Sequence, residues 1–155
     1  MSFNFKKVQK MNPESKEVRH VPPGLESQEN NLAIDFDGVI HTFDKGYFDG
    51  TCYGEPIKGT KEALQLLSEK YTLIVFTAKV KKDRPLVNGK TGMQLVEEWL
   101  EKYNMMQYIS EITHEKPRAR YYIDDKGIHF TSWDQTLIIL GEKTDPSTQL
   151  GNLYF

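Results

Sequence analysis

Two apolar runs, with a helix-forming stretch between them and each stopping at polar residues, constrain this chain more than any other feature. The first, Leu32-Ala33-Ile34, runs into Asp35-Phe36-Asp37-Gly38. The second spans residues 71–76 (YTLIVF) and runs into Thr77-Ala78-Lys79. Runs without polar alternation fit strands covered on both faces. Between them Thr60 suits a helix N-cap, and Ala63, Leu64 and Leu67 form one apolar stripe. Strand, helix, strand is a βαβ unit, so the two strands are expected to be parallel. In such sheets ligands gather outside the carboxyl ends of the strands. Asp35 and Asp37 stand there, two residues apart and so on one side of an extended chain. Two acids this close repel unless a proton or cation sits between them. Asp-x-Asp-Gly also suits a plain turn, with Gly38 reversing the backbone, so the later residues must decide.

They add two more polar stops. Thr91 and Gln94 fit a capping box that opens a helix with Val96, Trp99, Leu100 and Tyr103 on its apolar stripe. Residues 108–113 (YISEIT) read as a short strand, followed by His114-Glu115-Lys116-Pro117, with Pro117 suited to the first position of a helical turn. Residues 119–123 (ARYYI) form the next expected strand and end in Asp124-Asp125. Residues 128–130 are expected to form a further short strand, and residues 133–140 a closing helix. Residues 41–56, rich in aromatics and glycine, read as a hairpin-like flap beside the first strand end.

The 155 residues suggest one domain, with a polar extension over 1–30, a folded core over 31–140 and a tail over 141–155. A net charge of −2 argues against a protein that coats long nucleic acid. The single cysteine, Cys52, excludes an internal disulfide, and no apolar run is long enough to span a bilayer. With no apolar secretory segment near the start, a cytoplasmic location is the expectation.

The order Asp35/Asp37, Thr77, Lys116, Asp124/Asp125 resembles the haloacid dehalogenase superfamily of phosphotransferases, over roughly residues 31–136. Its four motifs appear here as DFDGV, IVFTA, the lysine of HEKPRA, and YYIDD. The resemblance implies a three-layer α/β/α sandwich around a mostly parallel, Rossmann-like sheet. The intervals between motifs are too short for a cap domain, so a capless member is expected. It further implies Asp35 as the nucleophile that forms an aspartyl-phosphate and Asp37 as general acid and base. Thr77, the Ala78 amide and Lys116 would hold the phosphate. Asp35, the Asp37 carbonyl and Asp124 would hold Mg²⁺, with Asp125 orienting water or Lys116. The expected activity is hydrolysis of phosphate monoesters, carried on small molecules or on a nucleotide or nucleic-acid 3′ end. The basic residues Lys79, Lys81, Lys82, Arg84, Arg118 and Arg120 flank the motif loops, as a solvated surface or as contacts to further phosphates. An uncapped site suits large substrates, or small ones closed in by a second copy in a homo-oligomer. Two other classes compete: a phosphorylation-receiving signalling domain, disfavoured by the order of acids and threonine, and a phosphate-binding module that has lost activity, disfavoured because no motif is missing.

Overall fold

The computed structural model describes residues 21–147; the sequence readings for residues 1–20 and 148–155 lie outside them. Two compact units are present, one ending at Ile123 and one beginning at Asp124.

The first unit is built on four strands, β1 (Asn31–Asp35), β2 (Thr72–Phe76), β3 (Glu111–Thr113) and β4 (Tyr121–Ile123), in the order β3-β2-β1-β4. Every pairing is parallel, with Ile34 beside both Val75 and Ile123, and Phe76 beside Thr113. All four strands therefore end at one edge. The fold is α/β and compatible with a Rossmann-like arrangement.

Helix α1 (Thr60–Ser68) joins β1 to β2, and α2 (Gly92–Lys102) joins β2 to β3. Successive right-handed crossovers that step the same way put both helices on one face. Accordingly Leu64 of α1 and Val96, Trp99 and Leu100 of α2 share one apolar cluster with Leu32, Ile34, Leu73 and Val75. Alternation along β1 and β2 sends these strand residues to the helical face. Phe36 and Ile40 extend the cluster beyond the end of β1, and Phe36 is fully buried. Truncating a buried phenylalanine of this kind costs about 3–5 kcal/mol.

Several local expectations change. Gly59, not Thr60, takes the capping position of α1, with φ +87°, which glycine adopts without strain. Thr60 becomes the first helical residue, and its hydroxyl donates back to the Ile57 carbonyl at 2.6 Å. The capping box at Thr91 and Gln94 is present in both directions. Residues 106–108 form a short 3₁₀ turn, so the strand expected over 108–113 shrinks to β3. The flap over 41–56 is a run of turns rather than paired strands, closed by an antiparallel bridge between His41 and Pro56. Pro117 opens no helical turn. Its carbonyl accepts from the Tyr122 hydroxyl at 2.7 Å and that of Arg118 from the Asn31 amide at 3.1 Å, while the Arg120 amide donates to the Asn31 carbonyl. These bonds draw residues 114–120 along as a non-helical link from β3 to β4.

In the second unit α3 (Trp133–Ile139) is capped by Ser132, whose hydroxyl oxygen accepts from the Gln135 amide at 3.1 Å. Residues 128–130 lie in no strand ladder. Apolar and aromatic residues favour an extended backbone but do not by themselves supply a neighbouring edge to pair with. Among the described residues no helix is long and apolar enough to cross a membrane.

Candidate active site at the carboxyl edge of the sheet

The chain leaves β1 through a tight turn. The Phe36 carbonyl accepts from the amides of Val39, Ile40 and His41, and Gly38 takes φ +86° and donates to the His41 carbonyl at 2.8 Å. Alternation sends Phe36 into the core and leaves Asp35 and Asp37 half-buried at the edge. One Asp35 oxygen accepts from the Phe36 amide at 2.8 Å. The same turn carries His41 inward, where it is fully buried, stacked parallel on Phe36 and edge-on to Trp99.

His41 joins the flap to Asp37. Its Nδ1 lies 2.9 Å from Asp37 Oδ1, and its Nε2 lies 2.8 Å from the Gly54 amide. A backbone amide can only donate, so Nε2 accepts and the ring proton sits on Nδ1, pointing at the carboxylate. The Gly54 carbonyl accepts from the Trp99 indole at 2.8 Å, which anchors this relay to α2. A Cβ at Gly54 would overlap Thr42, so only glycine lets the flap approach the imidazole this closely.

The other Asp37 oxygen, Oδ2, lies 3.3 Å from the Lys79 ammonium. Lys79 is only 6 % exposed and also faces the Phe43 ring. Burial alone would raise the Asp37 carboxyl, but the His41 hydrogen bond and the Lys79 charge outweigh it and hold it below its ordinary value. Neighbouring Cys52 is pushed up to about 11 by burial, only partly offset by Lys79, so it is a packed thiol rather than a nucleophile.

Thr77 follows β2 directly and is buried. Its amide continues the ladder by donating to the Thr113 carbonyl at 2.9 Å, and its hydroxyl oxygen accepts from the Lys79 amide at 3.2 Å. It is thus the cap of a short 3₁₀ turn, Ala78–Val80, which places Ala78 outward and Lys79 inward. Gly92, at the start of α2, packs against the Lys79 carbonyl so tightly that a Cβ would overlap it.

Lys116 differs from these. It is exposed, with its ammonium 4.8 Å from the centre of the Tyr122 ring. Tyr122 pairs with Ala33, so it belongs to the sheet face opposite Leu32 and Ile34. Asp124 and Asp125 follow Ile123 directly and open the second unit, where Asp124 Oδ1 accepts from the Lys126 amide at 2.8 Å.

Of the expected site residues, then, Asp35, Asp37 and Thr77 stand at one edge, built by β1 and β2. Two residues without an assigned role in the sequence reading prove central: His41, four positions after Asp37, and Lys79, which the sequence shows only as one of several loop cations. A histidine ending the DGVIH turn was the available signal for the first. No sequence signal separates Lys79 from Lys81 or Lys82. No family model, curated protein or solved structure matches this chain.

Proposed function

We propose that the chain is a Mg²⁺-dependent phosphate monoester hydrolase of the haloacid dehalogenase type, working through an aspartyl-phosphate on Asp35. The observation that carries this reading is the register. Ile34 is flanked by Val75 and Ile123, so Asp35, Thr77 and the residues after β4 leave the sheet from the same edge.

In this reading Asp35 attacks the phosphorus while Thr77 and the Ala78 amide hold the non-bridging oxygens. The bond from phosphorus to the ester oxygen breaks, and Asp37 protonates the departing oxygen. Asp37 then takes a proton from the water that attacks the aspartyl-phosphate, releasing phosphate and restoring Asp35. The ionised state in which His41 and Lys79 hold Asp37 suits this second, basic half. The first half needs a proton on Asp37, which the approach of an anionic substrate to Lys79 would favour by drawing the ammonium away. Lys116, resting on Tyr122, would turn to neutralise charge on the transferred group.

The donor chemistry fits a hard cation. His41 has both ring nitrogens engaged and the Asp37 carboxylate is held by two partners, so the oxygens of Asp35, the Asp37 main chain and Asp124 would hold the metal. Bound Mg²⁺ would neutralise the substrate's charge. Asp125 would orient water or Lys116.

The test is phosphate release from a panel of monoesters, with Mg²⁺ and with chelator, for wild type and Asp35→Asn. The expected result is metal-dependent turnover that falls about 10³-fold or more in Asp35→Asn. Turnover that survives the substitution removes Asp35 as nucleophile.

A further inference from the structure

A cavity of about 360 Å³ is lined in part by Lys79, the neighbour of Asp37. Its walls come from three places: Tyr47 of the flap, Pro85 and Val87 of the loop after β2, and Leu95 of α2. Two cations line it, Lys79 and Arg84. Lys79 is the link to the site, because its ammonium contacts Asp37 Oδ2. The space therefore lies one side chain away from Asp37, the residue proposed to protonate the leaving group.

The loop wall is held in shape. Val87 and Lys90 exchange both backbone hydrogen bonds, at 2.9 and 3.0 Å, around Asn88 and Gly89, whose φ values of +52° and +75° are those of a tight reverse turn. The Lys90 ammonium is tied to Glu98 on α2 at 2.7 Å. On the flap side, the Tyr53 hydroxyl accepts from the Lys45 amide and donates to the Gly46 carbonyl, both at 2.9 Å, which fixes the backbone next to Tyr47. Arg84 stands in this frame as an exposed side chain, and no carboxylate among the described residues pairs with its guanidinium.

An apolar box with one planar cation at its wall is matched by a ligand with an apolar or flat body and an anion. We propose that this cavity receives the leaving group of the substrate, and that Arg84 binds a second anionic group carried on it, so the preferred substrates are phosphate monoesters of sugar or nucleoside size with a further phosphate. The proposal rests on the phosphatase reading for its chemistry but not for its binding. A small bisphosphate and a 3′-phosphorylated nucleic-acid end offer the same pattern, and the test separates them.

Equilibrium binding in Mg²⁺ is measured on Asp35→Asn, which on the proposed mechanism would hold substrate without turnover, for three probes: phenyl phosphate, adenosine 3′,5′-bisphosphate and a 3′-phosphorylated dinucleotide. At least one of the two probes with a second phosphate group is expected to bind about tenfold or more tighter than phenyl phosphate. Adding Arg84→Ala should shrink that ratio towards one, with Arg84→Lys between. Tighter binding of the dinucleotide than of the bisphosphate assigns the nucleic-acid end; the reverse assigns the small molecule. Equal binding of all three probes overturns the proposal. So does an Arg84→Ala variant that weakens all three alike, since that marks a general field rather than a subsite. Arg84 is an exposed loop residue, so its variants should keep the wild-type melting temperature. Failure of the wild type to release phosphate from any ester rejects the phosphatase reading, whereas these binding ratios judge the cavity separately.

Discussion

Asp37, at the end of β1, accepts from a buried imidazole on one oxygen and a buried ammonium on the other. Lys116, beyond the end of β3, is exposed and touches the face of one tyrosine. Both residues belong to motifs of comparable strength in the sequence, yet one is fixed by its surroundings and the other is free to move. The difference follows from what covers them. The β1 turn lies under the flap and against α2, whose Trp99 and Gly92 lock both neighbours of Asp37 in place. The link over 114–120 has no helix of its own, and the strand it leads into, β4, has its side chains open to solvent. On the proposed reading, such a site would have one preorganised half and one half left for a charged ligand to complete.

The strongest way to break this contrast is at His41. Replacing it by alanine leaves a cavity, an unpartnered Gly54 amide and a half-satisfied Asp37, and should cost about 3 kcal/mol of stability by denaturant unfolding. His41→Gln, whose amide offers both a donor and an acceptor, should recover part of that loss. If His41→Ala unfolds like wild type, the relay from Trp99 through Gly54 to Asp37 is not a structural element.

Lys79→Met comes next. Removing the ammonium leaves burial less opposed, so the Asp37 carboxyl should rise. The pH at which activity gains its basic limb should rise with it, and stability should fall by about 1–2 kcal/mol. An unchanged pH–rate profile would show that Lys79 does not govern Asp37.

The same pair sets a pH dependence of stability. Asp37 is lowered in the folded state, so its contribution is fully present above its unfolded value of about 4. It disappears as pH drops through the lower folded value. Melting temperature should therefore decline on the acid side, and this component of the decline should be smaller in Lys79→Met. Parallel curves for the two proteins would remove Asp37 as the source.

The smallest effect is expected on the open half. Lys116→Ala should change stability by less than about 1 kcal/mol, the scale of an exposed cation–aromatic contact, while lowering phosphate release about tenfold or more. Tyr122→Leu should leave phosphate release near wild type. A large stability loss in Lys116→Ala would show that the two halves are built alike.

The strands, the parallel pairing and the edge on which Asp35, Asp37 and Thr77 stand were legible in the sequence, because they rest on local apolar runs and on a connection rule that needs no tertiary knowledge. The capping box at Thr91 was legible for the same reason: its hydrogen bonds close within one turn. The flap and the run over 128–130 misled, since aromatic and β-branched residues favour extended backbone whether or not a partner strand exists. What only the tertiary structure decided is which cations matter. Lys79, Lys81 and Lys82 are equivalent as letters; packing of Gly92 against the Lys79 carbonyl and the 3₁₀ turn after Thr77 turn one of them inward. Its charge in a half-dry setting then meets Asp37, while its neighbours remain in water, where a charge is worth little.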